Sequence, residues 1–180
     1  MLRRARSLSP CARWAGLIWV ALVGCPTNDN VEPALDAGDD AGEATLQLGS
    51  GEASFEPAEP GEERTLYAGT QGGHHLWLSM RVRGLGPDHV RMVLDVVPAP
   101  PAAPAHTDIE LRFMERSDPD DDLPFEFVGW PARVLNPECA VGQPVQLRVQ
   151  LSDRSGHSVS AELELVAGAP RLPFALECSL

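Results

Sequence analysis

Two short clusters in the sequence hold side chains capable of chemistry. His74-His75 follows Gly72-Gly73, and imidazole is a common transition-metal ligand. Asp118-Pro119-Asp120-Asp121-Asp122 sets carboxylates at alternate positions, like the opening of a calcium loop. The candidate metal ligands are therefore His74, His75, Asp118, Asp120 and Asp122. Each cluster also has a plainer reading. Neighbours on a strand point to opposite faces, so the two histidines do not readily grip one ion: His75 falls on the Trp77 face and His74 on the other. In the acidic run, Leu123 stands where an EF-hand turn needs Gly and Gly129 where a bidentate Glu belongs, so an acidic surface loop is the simpler reading. His89, His106 and His157 lie in or beside turn-like stretches, where solvated imidazoles are expected. The chain contains no G-x-S-x-G, no H-E-x-x-H, no Gly-rich phosphate loop and no Cys nucleophile set beside a His. It reads as a non-enzymatic protein, and no cofactor is implied.

The N-terminal segment speaks of location. Residues 1–13 carry Arg3, Arg4, Arg6 and Arg13 without an acid, and Trp14 to Gly24 is an unbroken run of apolar or small residues. This is the basic and then apolar pattern of an export signal. The run is only about half the ~20 residues that a bilayer-spanning helix needs. It ends at Leu22-Val23-Gly24-Cys25, which resembles the lipobox of bacterial lipoproteins at all four positions. The resemblance implies that the Cys25 thiol takes a diacylglyceryl group, that a signal peptidase cuts between Gly24 and Cys25, and that Cys25 becomes an N-terminus bearing fatty-acyl chains such as palmitate. Several chains together hold a protein stably on a membrane. Pro26 stands where Asp would retain a Gram-negative lipoprotein in the inner membrane, so the resemblance implies a cell-envelope location at the outer membrane.

Three segments follow: 1–24 as signal peptide, 25–44 as lipidated Cys and flexible acidic linker, and 45–180 as the folded domain. In 26–44 only Val31 and Leu35 are sizeable apolar residues, too few to offset the entropy of ordering the segment. All 26 acids lie after Cys25 and four of the 14 arginines before it, so the mature chain carries a formal charge of about −16. With no Lys anywhere, it is a poor match for nucleic acid or an anionic membrane surface, both of which need clustered positive charge.

Within 45–180 the apolar residues keep a two-residue period. Leu76, Leu78, Met80 and Val82 alternate with Trp77, Ser79, Arg81 and Arg83; Val90, Met92, Leu94 and Val96 repeat the pattern after Gly84 to Asp88, so these two runs are expected to form a hairpin. The Pro-rich 98–104 segment is unsuited to an interior strand. Ile109 to Phe113, Phe125 to Trp130, Val145 to Leu151, Val159 to Leu165 and Leu172 to Cys178 supply further strands. Seven to nine strands without a convincing amphipathic helix predict an all-β protein, a single antiparallel β-sandwich. The stretch Gly142 to Val166, two strands about an Asp-x-x-Gly turn, resembles the last hairpin of bacterial immunoglobulin-like and fibronectin-III-like domains.

In an exported domain cysteines persist as disulfides, so Cys139 and Cys178 are expected to pair. Once the signal has removed Trp14 and Trp19, only Trp77, Trp130 and Tyr67 remain of the large amphipathic aromatics. Packing is their expected role, with Trp77 set apart by sharing a face with Arg81. The functional expectation is a lipid-anchored interaction module with a protein partner in the envelope; divalent-metal binding and glycan binding are the alternatives.

Overall fold

The computed structural model describes residues 43–69, 73–117, 122–170 and Cys178. The chain divides into units 1–37 and 38–180, and every described residue belongs to the second. The signal segment, Gly24, Cys25 and nearly all of the linker lie outside the described residues. So do Asp118, Asp120 and positions 172–177 of the expected last strand.

The described chain is a sandwich of two sheets. The first runs in the order β2 (Glu56–Pro57), β1 (Thr45–Ser50), β5 (His74–Arg83), β9 (Phe125–Val134) and β8 (Met114–Glu115), with β4 (Tyr67–Ala68) beside the start of β5. The second runs β3 (Glu62–Thr65), β11 (Ser158–Gly168), β10 (Pro144–Ser152), β6 (Val90–Pro98) and β7 (Ala105–Leu111). All pairings are antiparallel except that of β3 with β11. One helical turn, α1 (Pro137–Ala140), connects β9 to β10. The orders β1-β5-β9-β8 and β11-β10-β6-β7 reproduce the A-B-E-D and G-F-C-C′ arrangement of immunoglobulin-like sandwiches.

Alternation decides which side chains meet between the layers. Leu76, Leu78, Met80 and Val82 from β5 face Val90, Met92, Leu94 and Val96 of β6 and Val145, Leu147, Val149 and Leu151 of β10 in one buried cluster. Burying a side chain of this size stabilises by ~1.5–3 kcal/mol, so the inner face of each strand fixes its orientation.

The hairpin expected between 76–83 and 90–96 does not form. β5 pairs with β1, β4 and β9, whereas β6 pairs with β10 and β7, so the two runs lie in different sheets. Both have one apolar face, and burying the two faces against each other satisfies them better than setting them side by side. The intervening residues 84–89 can extend ~20 Å, enough to cross the ~10 Å between stacked sheets. Leu85, 4% exposed, fills the end of the core on the way. The hairpin that does form across the Pro-rich 99–104 segment joins β6 to β7. The hairpin of β10 and β11 pairs over nine positions, from Pro144↔Val166 to Ser152↔Ser158.

β9 carries a break in its own alternation. Phe125 and Phe127 face the core at odd positions, Trp130, Ala132 and Val134 at even ones. The register moves accordingly: Met80 faces Phe127 but Leu78 faces Trp130, which places an extra residue opposite Ser79. Gly129 sits in this bulge at φ 77°, a conformation open to glycine at little cost.

Candidate functional site

At one end the outer face of the first sheet departs from the usual pattern of solvated polar side chains, whereas at the other Glu126 pairs with Arg81 at 3.5 Å and with Arg116 at 3.4 Å. Three strands bring the relevant groups together. Leu66, wholly buried, lies where the chain leaves β3 of the second sheet for β4 of the first, and the switch delivers Tyr67 beside β5. Tyr67 then pairs with His75, and His75 on its other side with Arg133 of β9; Trp77 pairs with Pro131. Directly paired residues share a face, so Tyr67, His75, Arg133, Trp77 and Pro131 form one outward patch.

The rings pack on each other. His75 meets Trp77 edge-on with centroids 4.4 Å apart, and Tyr67 lies 6.1 Å from His75 and 5.9 Å from Trp77. Beside them is an open hollow of about 580 Å³ lined by Glu52, Gly69, Gly73, His75, Trp77, Pro131 and Arg133 among others. A second hollow of about 340 Å³ shares Gly73, His74 and Arg133 with it and continues to Asn136 and Glu138 beside α1.

Glu52 enters this site from a loop that folds over the sheet. Ser79, buried although on the outer face, donates its hydroxyl to the Gly51 carbonyl at 3.0 Å and accepts the Gly129 N–H at 3.2 Å. Phe55 of the same loop lies under the Arg81 guanidinium, 4.2 Å from it. A Cβ on Gly129 would stand 2.4 Å from the Glu52 carbonyl oxygen. The bulge, the serine and the cation–π contact together hold Glu52 at the rim.

Burial pushes the His75 imidazole below its ordinary value of 6.5, against the opposing pull of the Glu52 charge and with a further push from His74. The ring is therefore neutral at neutral pH. His75 Nε2 and the Trp77 indole N–H are both buried without a hydrogen-bond partner, an arrangement that costs free energy. The patch thus combines apolar ring surface, a neutral imidazole, a carboxylate and a guanidinium.

Of the metal candidates, His75 lies on the Trp77 face and His74, by alternation, on the other, although both line the first hollow. Asp122 is exposed, and Asp118 and Asp120 lie outside the described residues. Among the described residues no three His, Cys, Asp or Glu side chains gather as a metal site requires. His106 belongs to β7 rather than to a turn, with its Nδ1 2.7 Å from Asp95 of β6. His89 pairs with Glu110 and His157 with Asp153. Trp130 faces the core. The sequence set Trp77 apart, but its assembly with Tyr67, Arg133 and Glu52 depends on strand pairings and a loop that periodicity does not reveal.

Cys139 of α1 and Cys178 form a disulfide with their Cα atoms 4.9 Å apart. It joins the connection between β9 and β10 to the C-terminal end of the chain, unlike the inter-sheet bridge of antibody domains. No helix among the described residues is long and apolar enough to cross a membrane. Comparison of the chain with protein-family models, with curated proteins and with solved structures finds no match.

Proposed function

We propose that this protein is a lipid-anchored, extracytoplasmic binding module, without catalytic activity, which is held at the outer membrane through Cys25 and engages a component of the cell envelope at the Trp77 patch. The contrast between the two outer sheet faces carries the reading. The second sheet presents what water favours: Arg91 pairs with Asp108 at 2.6 Å, His106 with Asp95 and Arg148 with Glu162. At the corresponding place the first sheet presents Tyr67, His75 and Trp77 beside a hollow. Clustered rings rimmed by charged groups on an outer face are a feature of binding surfaces. The lipobox residues Leu22 to Cys25 support the anchor, and the acidic 26–44 segment supports a tether that lets the domain reach its partner.

The test is photocrosslinking in the native cell. With p-benzoyl-phenylalanine at position 67, irradiation yields a discrete adduct of whatever chemical class occupies the patch. The same group at Gln150, exposed on the opposite sheet, yields none. No adduct from position 67, or the same adduct from both positions, overturns the assignment.

A further inference from the structure

We infer that the Trp77 patch binds a neutral oligosaccharide. This rests on the patch being the binding site and names its ligand class. The chemistry of the lining supports it. A pyranose ring has apolar C–H faces and a rim of hydroxyls; it needs an aromatic or prolyl surface to lie on, and groups that donate and accept at its edge. Trp77 beside Pro131 supplies the surface. Arg133 supplies a rigid fork of donors, Glu52 accepts from hydroxyls, and neutral His75 adds an imidazole without a charge.

Geometry decides against an organic cation. A quaternary ammonium needs rings spaced so that it can sit over their faces. Here the three rings pack together only 4.4 to 6.1 Å apart, too close for a cation to sit between them, and Arg133 stands directly opposite His75. Charge decides against a polyanion. The whole chain carries −12, rising in magnitude once the basic signal is removed, and such a field repels anions within a Debye length of ~8–10 Å. An extended peptide read through its backbone needs a free strand edge, whereas the rings and the hollow lie on the face of the sheet, where His75 is paired to Tyr67 on one side and to Arg133 on the other. The first hollow, about 580 Å³, falls within the ~300–1,000 Å³ of small-ligand sites. Its continuation past Arg133 to Asn136 and Glu138 gives room for more than one sugar ring.

The mature chain from Cys25 holds two tryptophans, Trp77 and Trp130, so its two indole N–H signals in a ¹⁵N-labelled, detergent-solubilised sample report directly. The probes are cellotriose, maltotriose, mannotriose and N-acetylchitotriose, with trigalacturonate and tetramethylammonium as the charged comparison. At least one neutral trisaccharide shifts the Trp77 signal saturably with a Kd at or below ~1 mM and leaves Trp130 in place. Trp77→Ala abolishes that binding, measured by calorimetry; Arg133→Ala weakens it more than tenfold, and Arg91→Ala on the other sheet leaves it unchanged. The inference is overturned if none of the four neutral sugars moves the Trp77 signal, if a charged probe binds more tightly than all of them, or if the adduct crosslinked at position 67 is a protein. In each case an adduct specific to position 67 still marks the patch as a binding site, so the two claims fail separately.

Discussion

Ser79 and Gly129 illustrate how single residues away from the aromatic rings determine the site. Ser79→Ala strands the Gly51 carbonyl and the Gly129 N–H together, and leaving such buried groups unpaired costs ~1–3 kcal/mol. Chemical denaturation should show a loss in this range, and ligand affinity should fall as the loop carrying Glu52 loosens. Gly129→Ala should be worse, because it adds ~1–2 kcal/mol of left-handed backbone penalty to a Cβ 2.4 Å from the Glu52 carbonyl. His75 carries a pH dependence of definite sign. Its folded value lies below 6.5, so between the two values the unfolded chain binds the extra proton, and stability falls as pH drops below 6.5 toward the folded value. His75→Phe should flatten the part of the decline below pH 6.5 that this ring causes; an unchanged slope would show that burial does not penalise the imidazolium. The two-residue period placed Trp77 with Arg81 and His75 in advance. It could not place Ser79 in a buried position, because what buries it is a loop that begins 28 residues earlier, at Gly51.

Among the elements, the connections between strands were harder to read than the strands themselves. Leu76 to Val82 and Val90 to Val96 carry the same pattern whether they pair edge to edge or face each other, so the pattern identified both strands but the hairpin read from it was the wrong partnership. The parity change from Phe127 to Trp130 is legible as a bulge once the sandwich is known. The short strands β2, β4 and β8 lack any period because two residues cannot show one, yet β4 is the element that delivers Tyr67. Asp153 shows what secures the β5–β6 crossing. Its carboxylate, 6% exposed, accepts N–H groups from Gly86 at 3.2 Å, Ser155 at 2.9 Å and His157 at 3.0 Å, and joins the β10–β11 turn to the crossing loop. Burial raises its pKa, but these hydrogen bonds and the His157 side chain outweigh it and hold the group below its ordinary 3.8. Its contribution to stability is therefore complete above 3.8 and is lost as pH falls through the lower folded value. Asp153→Ala should lower stability by ~1–3 kcal/mol at pH 7, and the difference from the parent chain should shrink as the pH falls below 3.8 and through the lowered folded value. A difference independent of pH would mean that the lost interaction is packing rather than charge.

At the scale of the whole molecule, export, tether and disulfide belong to one account. A closed loop of the 39-residue separation between Cys139 and Cys178 contributes ~4 kcal/mol in the chain-entropy model. Cys178→Ser should lower the denaturation midpoint accordingly and loosen α1, which borders the second hollow. The pairing was expected from the inferred export alone, since separation in sequence says nothing of proximity; the sandwich class followed from seven or more alternating runs without a helix. The proposed binding face depends on which strands lie side by side, and composition carries no trace of that. In the proposed function the chain is exported, trimmed at Cys25, acylated and closed by one disulfide. The mass of the protein extracted from native membranes tests this directly, measured before and after reduction. The predicted result is a chain beginning at acylated Cys25 that gains two hydrogens on reduction. A longer chain that retains residues before Cys25 and bears no acyl group, or one whose mass is unchanged by reduction, would contradict it.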